Sequence, residues 1–117
     1  MTIPNNAPVF FSGVGGSGMS ALAVLLAARG HDVRGSDRSH DRGESPEKFA
    51  VLARSGVRLF PQDGSGVDET IGMLVVSSAV EDSVPDVAAA KRLGIPICRR
   101  AAILADIFNA GRGIAVG

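Results

Sequence analysis

Tryptophan and tyrosine are absent from the 117 residues, and phenylalanine occurs only five times. Single-stranded nucleic acid is bound on platforms of such rings, so that function has little to build on. An excess of charge of one sign is also lacking: twelve Lys and Arg balance twelve Asp and Glu. No global field therefore draws the chain to a phosphate backbone or to anionic lipid. The single cysteine, Cys98, has no partner for an internal disulfide, which fits a reducing compartment. Its apolar setting, "IPIC", predicts a buried, inert thiol. The longest strongly apolar stretch, residues 19–28, is too short to cross a bilayer. The opening "MTIPNNAP" has neither the basic region nor the apolar core of a secretory signal. These absences predict a cytoplasmic location, no nucleic-acid partner and no membrane partner.

What is present is a regular alternation of apolar runs and helical patterns. Hydrophobic content of 45% and charged content of 21% are ordinary for a globular protein, and the length suits one domain with a real core. "PVFFSG" reads as a first strand ending at Gly13. Residues 17–29 carry Met19, Leu22, Ala23 and Leu26 at helical spacing, with Gly30 as the stop. "HDVRGSD" supplies a second strand. "SPEKFAVLARSG" predicts a helix with Ser45 as N-cap, Pro46 in the first turn and Gly56 past the end. "VRLF" is a third strand, "PQDGSGVDET" a loop, and "GMLVVSS" a fourth strand, apolar enough to be covered on both faces. "VPDVAAAKRLG" is a helix, "IPIC" a fifth strand and "RRAAILADIFNAG" a further helix. "GRGIAVG" begins another apolar strand, as though the chain were cut at a domain boundary. Strand and helix in alternation predict an α/β class, a Rossmann-like doubly wound parallel sheet of about five strands with helices on both faces. The expected strand order is 3-2-1-4-5.

Four glycines crowd the junction of the first strand and first helix, in "SGVGGSGMSAL". Gly13, Gly15 and Gly18 fit G-x-G-x-x-G in the strand–turn–helix setting that the motif requires. Gly13 permits a tight turn, Gly15 admits a ligand against the backbone, and Gly18 lets helix and strand pack closely. Unpaired N–H groups at a helix N-terminus favour phosphate, and Ser17 and Ser20 add hydroxyls there. Asp37 lies 19 residues after Gly18, near the usual ~20, where a carboxylate accepts from ribose hydroxyls. Arg38, next along, suits a 2′-phosphate. The pattern thus predicts a pyrophosphate ligand, without separating a dinucleotide from a nucleotide sugar. His31 and His40 stand isolated among turn residues and are expected in solvent. No metal-ligand spacing, catalytic triad or paired carboxylates are found, so no catalytic residue is assigned.

"GVGGSGMSALA", "GSD" at 35–37, "VVSSAV" at 75–80, "GIPICRRAAILA" at 94–105 and the terminal "GIAVG" together resemble the N-terminal domain of the Mur ligases. The resemblance runs from about Val9 to Gly117. It implies that residues 1–117 are a single Rossmann-like N-terminal domain that binds the UDP part of a substrate. It also implies a central ATP-binding domain of the same protein as partner, and a C-terminal domain, both outside this chain. The implied reaction joins an amino acid such as L-alanine, or a peptide, to UDP-N-acetylmuramate or a related carboxylate. That reaction belongs to peptidoglycan synthesis or recycling. A carboxylate would be phosphorylated by ATP with Mg, and the amine would attack the acyl phosphate. No cofactor is expected on this fragment, which is expected to be inactive alone. By resemblance, Gly15, Gly16, Ser17, Gly18 and Met19 match the diphosphate-binding loop. Asp37, Ser77 and Ser78 fall near the uridine and its ribose, and Arg100 near the phosphates. Ala102 stands where the family usually has glutamate, and residues 38–49 are longer and more charged than expected.

Two other readings follow from the same residues. One is an NAD(P)-binding module with a regulatory or oxidoreductase role; the other is a fold kept only for subunit contact. The ligase reading expects a G-x-x-G-K-[ST]-like loop directly after Gly117 in the parent gene. It also expects Gly15→Ala to weaken nucleotide binding with little change in stability.

Overall fold

The computed structural model describes residues 7–77 and 83–103. In chain order it contains β1 (Val9–Ser12), α1 (Ser17–Ala28), β2 (Val33–Ser36), α2 (Arg38–Asp41) and α3 (Pro46–Arg54). These are followed by β3 (Val57–Phe60), β4 (Met73–Val76), α4 (Pro85–Leu93) and β5 (Ile97–Arg99). The strands form one parallel sheet in the order β3-β2-β1-β4-β5, the doubly wound arrangement that the alternation implies.

Strand alternation sorts the core into two layers. Val9 and Phe11 of β1, with Met73 and Val75 of β4, face α1 and α3 and pack with Met19, Leu22, Leu26, Phe49 and Leu52. Phe10, Leu74 and Val76 face the other way and pack with Val87, Ala89 and Ala90 of α4. Both faces of β1 and β4 are thus covered, which is why these strands tolerate no polar residue until Ser12 at the end of β1. Cys98 is buried, as its setting implies.

Register places the C-terminal ends of the central strands side by side. Ser12 stands opposite Ser36 across β1 and β2, and Phe11 opposite Val75 across β1 and β4. The loops leaving these ends are where the site is built.

Several boundaries differ from the sequence expectations. α2 lies where no element was expected, and Asp37 caps it: the carboxylate accepts the N–H of Ser39 at 2.8 Å. Ser45 occupies the cap position of α3 but has a left-handed backbone (φ 50), and its side chain makes no cap hydrogen bond. The strand expected at 95–98 is β5 at Ile97–Arg99. α4 closes through Gly94 in the left-handed region, and the N–H of Ile95 donates back to Ala90 at 2.8 Å, so Ile95 belongs to the helix exit. Pro96 contributes only its carbonyl, to the N–H of Leu74. Ser78, the rest of the last predicted helix beyond Ile103 and the strand predicted at 113–116 lie outside the described residues.

Candidate functional site

The chain leaves β1 through Gly13, whose φ of 84° is open to glycine at little cost. The N–H groups of Gly13 and Val14 both donate to the carbonyl of Ser36, at 2.8 and 2.9 Å, so the end of β2 holds the start of the loop. Val14 turns its side chain into the core, against Gly35, where a methyl would stand 2.8 Å from the Val14 Cβ. The N–H of Gly16 donates back to Gly13 at 3.2 Å, and the N–H of Ser20 to Gly16 at 2.7 Å. The amides of Ser17, Gly18 and Met19 open α1, where a helix has no acceptor to give them. No acidic residue sits in that first turn. Three outward N–H groups and the positive end of the helix dipole make a seat for an anion.

Asp37 sits against this seat. One carboxylate oxygen accepts the N–H of Gly15 at 2.8 Å and the other accepts the N–H of Ser39 at 2.8 Å. Each oxygen keeps a lone pair that a ribose hydroxyl can use. The amide of Gly15 is therefore committed to Asp37, and the first-turn amides of α1 are those for which a helix supplies no acceptor of its own. Gly15 also meets a steric demand that differs from the expected one. A methyl there would stand 2.8 Å from both Asp37 Oδ2 and Phe49 Cζ. The space it would take belongs to the protein itself, so the expectation that Gly15→Ala leaves stability nearly unchanged does not hold.

Gly18 is explained by Arg100. A methyl on Gly18 would lie 2.9 Å from Arg100 Cζ and 3.0 Å from its Nε and Nη1. The close approach at Gly18 is thus to a guanidinium arriving from beyond β5, while the tight fit between strand and loop falls at Gly35. Ser77 follows β4 directly and is exposed beside the end of β1. Gly16 is exposed and Met19 is buried in the core under the loop. Arg38 is exposed on α2.

Two residues absent from the sequence reading join the site. Lys48 Nζ, on α3, donates to the carbonyl of Gly15 at 2.9 Å and lies 5.7 Å from the centroid of the Phe49 ring. Its signal in the sequence was only a cation in the first turns of a helix, which by itself reads as solvated. Asp86, in the first turn of α4, is completely buried. Its Oδ2 accepts the hydroxyls of Ser36 and Ser12, at 2.5 and 3.2 Å, and its Oδ1 accepts the N–H of Gly64 at 3.1 Å. Asp86 therefore ties α4 to the ends of β1 and β2 and to the β3–β4 loop, and through Ser36 it supports the glycine loop. Its signal was an Asp between Val84 and Val87, right after Pro85, on the apolar side of a helix.

Burial pushes the Asp86 carboxyl above the ordinary aspartate value, against the opposing pull of Ser36, Ser12 and Gly64. Because the folded state holds this proton more tightly than the unfolded chain, stability falls as pH rises from the ordinary aspartate value to the raised one. Below that window the contribution is fully present. Chemical denaturation across pH is expected to show this decline in the natural chain and to lose it in Asp86→Asn.

His40, expected in solvent, instead meets Phe49 edge-on, with ring centroids 4.9 Å apart. Both rings help line a cleft of about 320 Å³ with Pro46, Ala53 and Leu59, next to Asp37 and α2. A second groove of about 560 Å³ runs between α1 and α3, lined by Ser20, Ala21, Val24, Lys48, Val51 and Leu52. Among the described residues no group of three His, Cys, Asp or Glu is arranged to hold a metal ion. Among the same residues no helix is long and apolar enough to cross a membrane.

With this geometry in place, comparison with known proteins is specific. The family described as "Mur ligase family, catalytic domain" matches residues 8–112. The UDP-N-acetylmuramate–L-alanine ligase of Synechococcus sp. (strain RCC307) is 36% identical over 124 residues, covering 99% of this chain and 25% of that protein. That of Rubrobacter xylanophilus is 41% identical over 108 residues, covering 92% of this chain and 23% of that protein. The crystal structure of the UDP-N-acetylmuramate–alanine ligase MurC from Thermotoga maritima superposes with a TM-score of 0.76 at 28% identity. It covers 89% of this chain and 23% of that one. The chain thus spans about a quarter of the length of the relatives it matches.

Proposed function

The chain belongs to the Mur ligase family, and from that premise we propose that it is the N-terminal domain that holds the UDP end of the substrate. The whole protein, on this reading, is a cytoplasmic ATP-dependent ligase that joins L-alanine or a peptide to UDP-N-acetylmuramate or a related carboxylate. The observation that carries the reading is the open first turn of α1 beside Asp37, at the point where the sheet order reverses between β1 and β4. The amides of Ser17, Gly18 and Met19 take the diphosphate, the exposed Gly16 keeps the approach clear, and Gly15 fixes Asp37 and Phe49 beside it. Asp37 accepts from the ribose, Ser77 hydrogen-bonds the uridine side, and Arg100 adds charge from the far edge. Ser78 is assigned to the same uridine side by family resemblance alone.

The contribution of this domain is positioning. Fixing one end of a long substrate removes most of its translational and rotational freedom before the distant carboxylate reacts, and such orientation is worth up to roughly 7–11 kcal/mol. The sequence has no G-x-x-x-x-G-K-[ST] stretch, and the described residues offer no metal-ligand set. ATP and Mg are assigned to the part of the relatives' length that this chain does not span.

Isothermal titration of this chain with UDP and with NADPH tests the reading. Saturable one-to-one binding of UDP with no response to NADPH is expected. NADPH binding without UDP binding would instead make it a dinucleotide module. Gly18→Ala adds a sharper check. The added methyl meets the flexible end of Arg100, and alanine favours a helix over glycine by up to about 1 kcal/mol, so thermal stability holds or rises slightly. UDP affinity falls several-fold as Arg100 is pushed from the loop.

A further inference from the structure

We propose that Lys48 is a diphosphate-reading residue of this site, a cation supplied by α3 across the glycine loop from Arg100. The inference rests on the proposed binding of a nucleoside diphosphate and deepens it by naming a residue that sets specificity for phosphate. Lys48 Nζ sits 2.9 Å from the Gly15 carbonyl, in the loop that leads into the first turn of α1. Among the described residues this is its single hydrogen bond, so two of the three ammonium donors remain. No carboxylate of the described residues lies within 4.0 Å of it; the ion pair found among them is Arg34 with Asp32. A lysine held against a neutral carbonyl and an aromatic ring, with no carboxylate of the described residues within 4.0 Å, is placed for an anion that arrives at the same loop.

The arrangement has a charge logic. The seat at α1 has no acidic residue in its first turn, but a diphosphate brings more negative charge than one helix end balances. Arg100 approaches at Gly18 and Lys48 at Gly15, so the two cations bracket the loop. Lys48 reaches the phosphates by rotating about its own flexible stem, without any movement of α3. Donors and charge at that position distinguish UDP from uridine and leave recognition of the base untouched.

The bland alternative is a brace, in which Lys48 serves only to hold Gly15. Lys48→Gln separates the two, because the amide of glutamine can still donate to the Gly15 carbonyl while its charge is gone. Titration of the natural chain and Lys48→Gln with UDP, uridine and inorganic pyrophosphate is decisive. The expected result is a loss of UDP and pyrophosphate affinity on the order of tenfold, as for one charge-assisted hydrogen bond, with uridine affinity unchanged. Lys48→Arg should restore most of it. Unchanged UDP affinity in a folded Lys48→Gln overturns the assignment and leaves the UDP-binding reading intact; so do equal losses for UDP and uridine. If the natural chain binds pyrophosphate through Lys48 but not UDP, the Lys48 assignment stands and the uridine reading falls. If it binds neither, both fall.

Discussion

Asp86→Ala is expected to destabilise the fold by roughly 3–6 kcal/mol, enough to consume much of the ~5–15 kcal/mol that holds a domain together. Removing this carboxylate leaves the Ser12 and Ser36 hydroxyls and the Gly64 N–H without the acceptor they share. Each orphaned buried hydroxyl costs about 1–3 kcal/mol, and the part-buried Gly64 N–H adds less. Ser36 and Asp86 are fully buried, so bulk water does not reach the hydroxyl that loses its partner. Urea denaturation followed by circular dichroism measures the effect. Asp86→Asn should lose far less, because its oxygen can face Gly64 while the serine hydroxyls rotate to accept from its amide. A loss below about 1 kcal/mol in Asp86→Ala would mean that the cluster is not held as described.

Gly15→Ala combines a stability loss with a binding loss. The methyl stands 2.8 Å from the buried ring of Phe49 and from the Asp37 carboxylate, so the ring, the carboxylate or the loop must move. Overpacking of this kind costs about 1–3 kcal/mol. Moving Asp37 also breaks its hydrogen bond to the Gly15 amide. The loop then no longer presents its amides in one geometry, and UDP affinity should fall roughly 10- to 100-fold, as expected for hydrogen bonds to a charged group. Melting temperature and titration on one protein preparation report both effects. A variant as stable as the natural chain with weakened UDP binding would show that the space beside Gly15 belongs to the ligand alone.

Much of this fold was legible in the order of its apolar runs. The apolar runs of "PVFFSG" and "GMLVVSS" require two covered faces, and with the strand–helix alternation they point to a parallel sheet; its order followed from the default doubly wound topology. The glycine loop and Asp37 were legible because motif and spacing report local backbone. Less legible were contacts that join residues distant in the chain. Nothing in "SPEKF" places Lys48 against Gly15, since the crossing of α3 over the loop is decided by the packing of Phe49 and Leu52 against α1. Asp86 was read as part of a helix start, because its partners are 50 and 74 residues away. Ser45 misled as a cap because backbone conformation, not residue type, decides whether a hydroxyl reaches its amide. Gly18 was assigned to strand packing because a motif does not say which side chain will lie on it.

The central claim is that the first-turn amides of α1 grip the linked phosphates of a uridine carrier. Amide-resolved NMR of the chain titrated with UDP tests this most directly. The account predicts that the largest shifts fall on the N–H signals of Ser17, Gly18 and Met19, with smaller changes at Asp37 and Ser77. UDP shifting only residues that line the groove between α1 and α3, with those three amides unmoved, would contradict it.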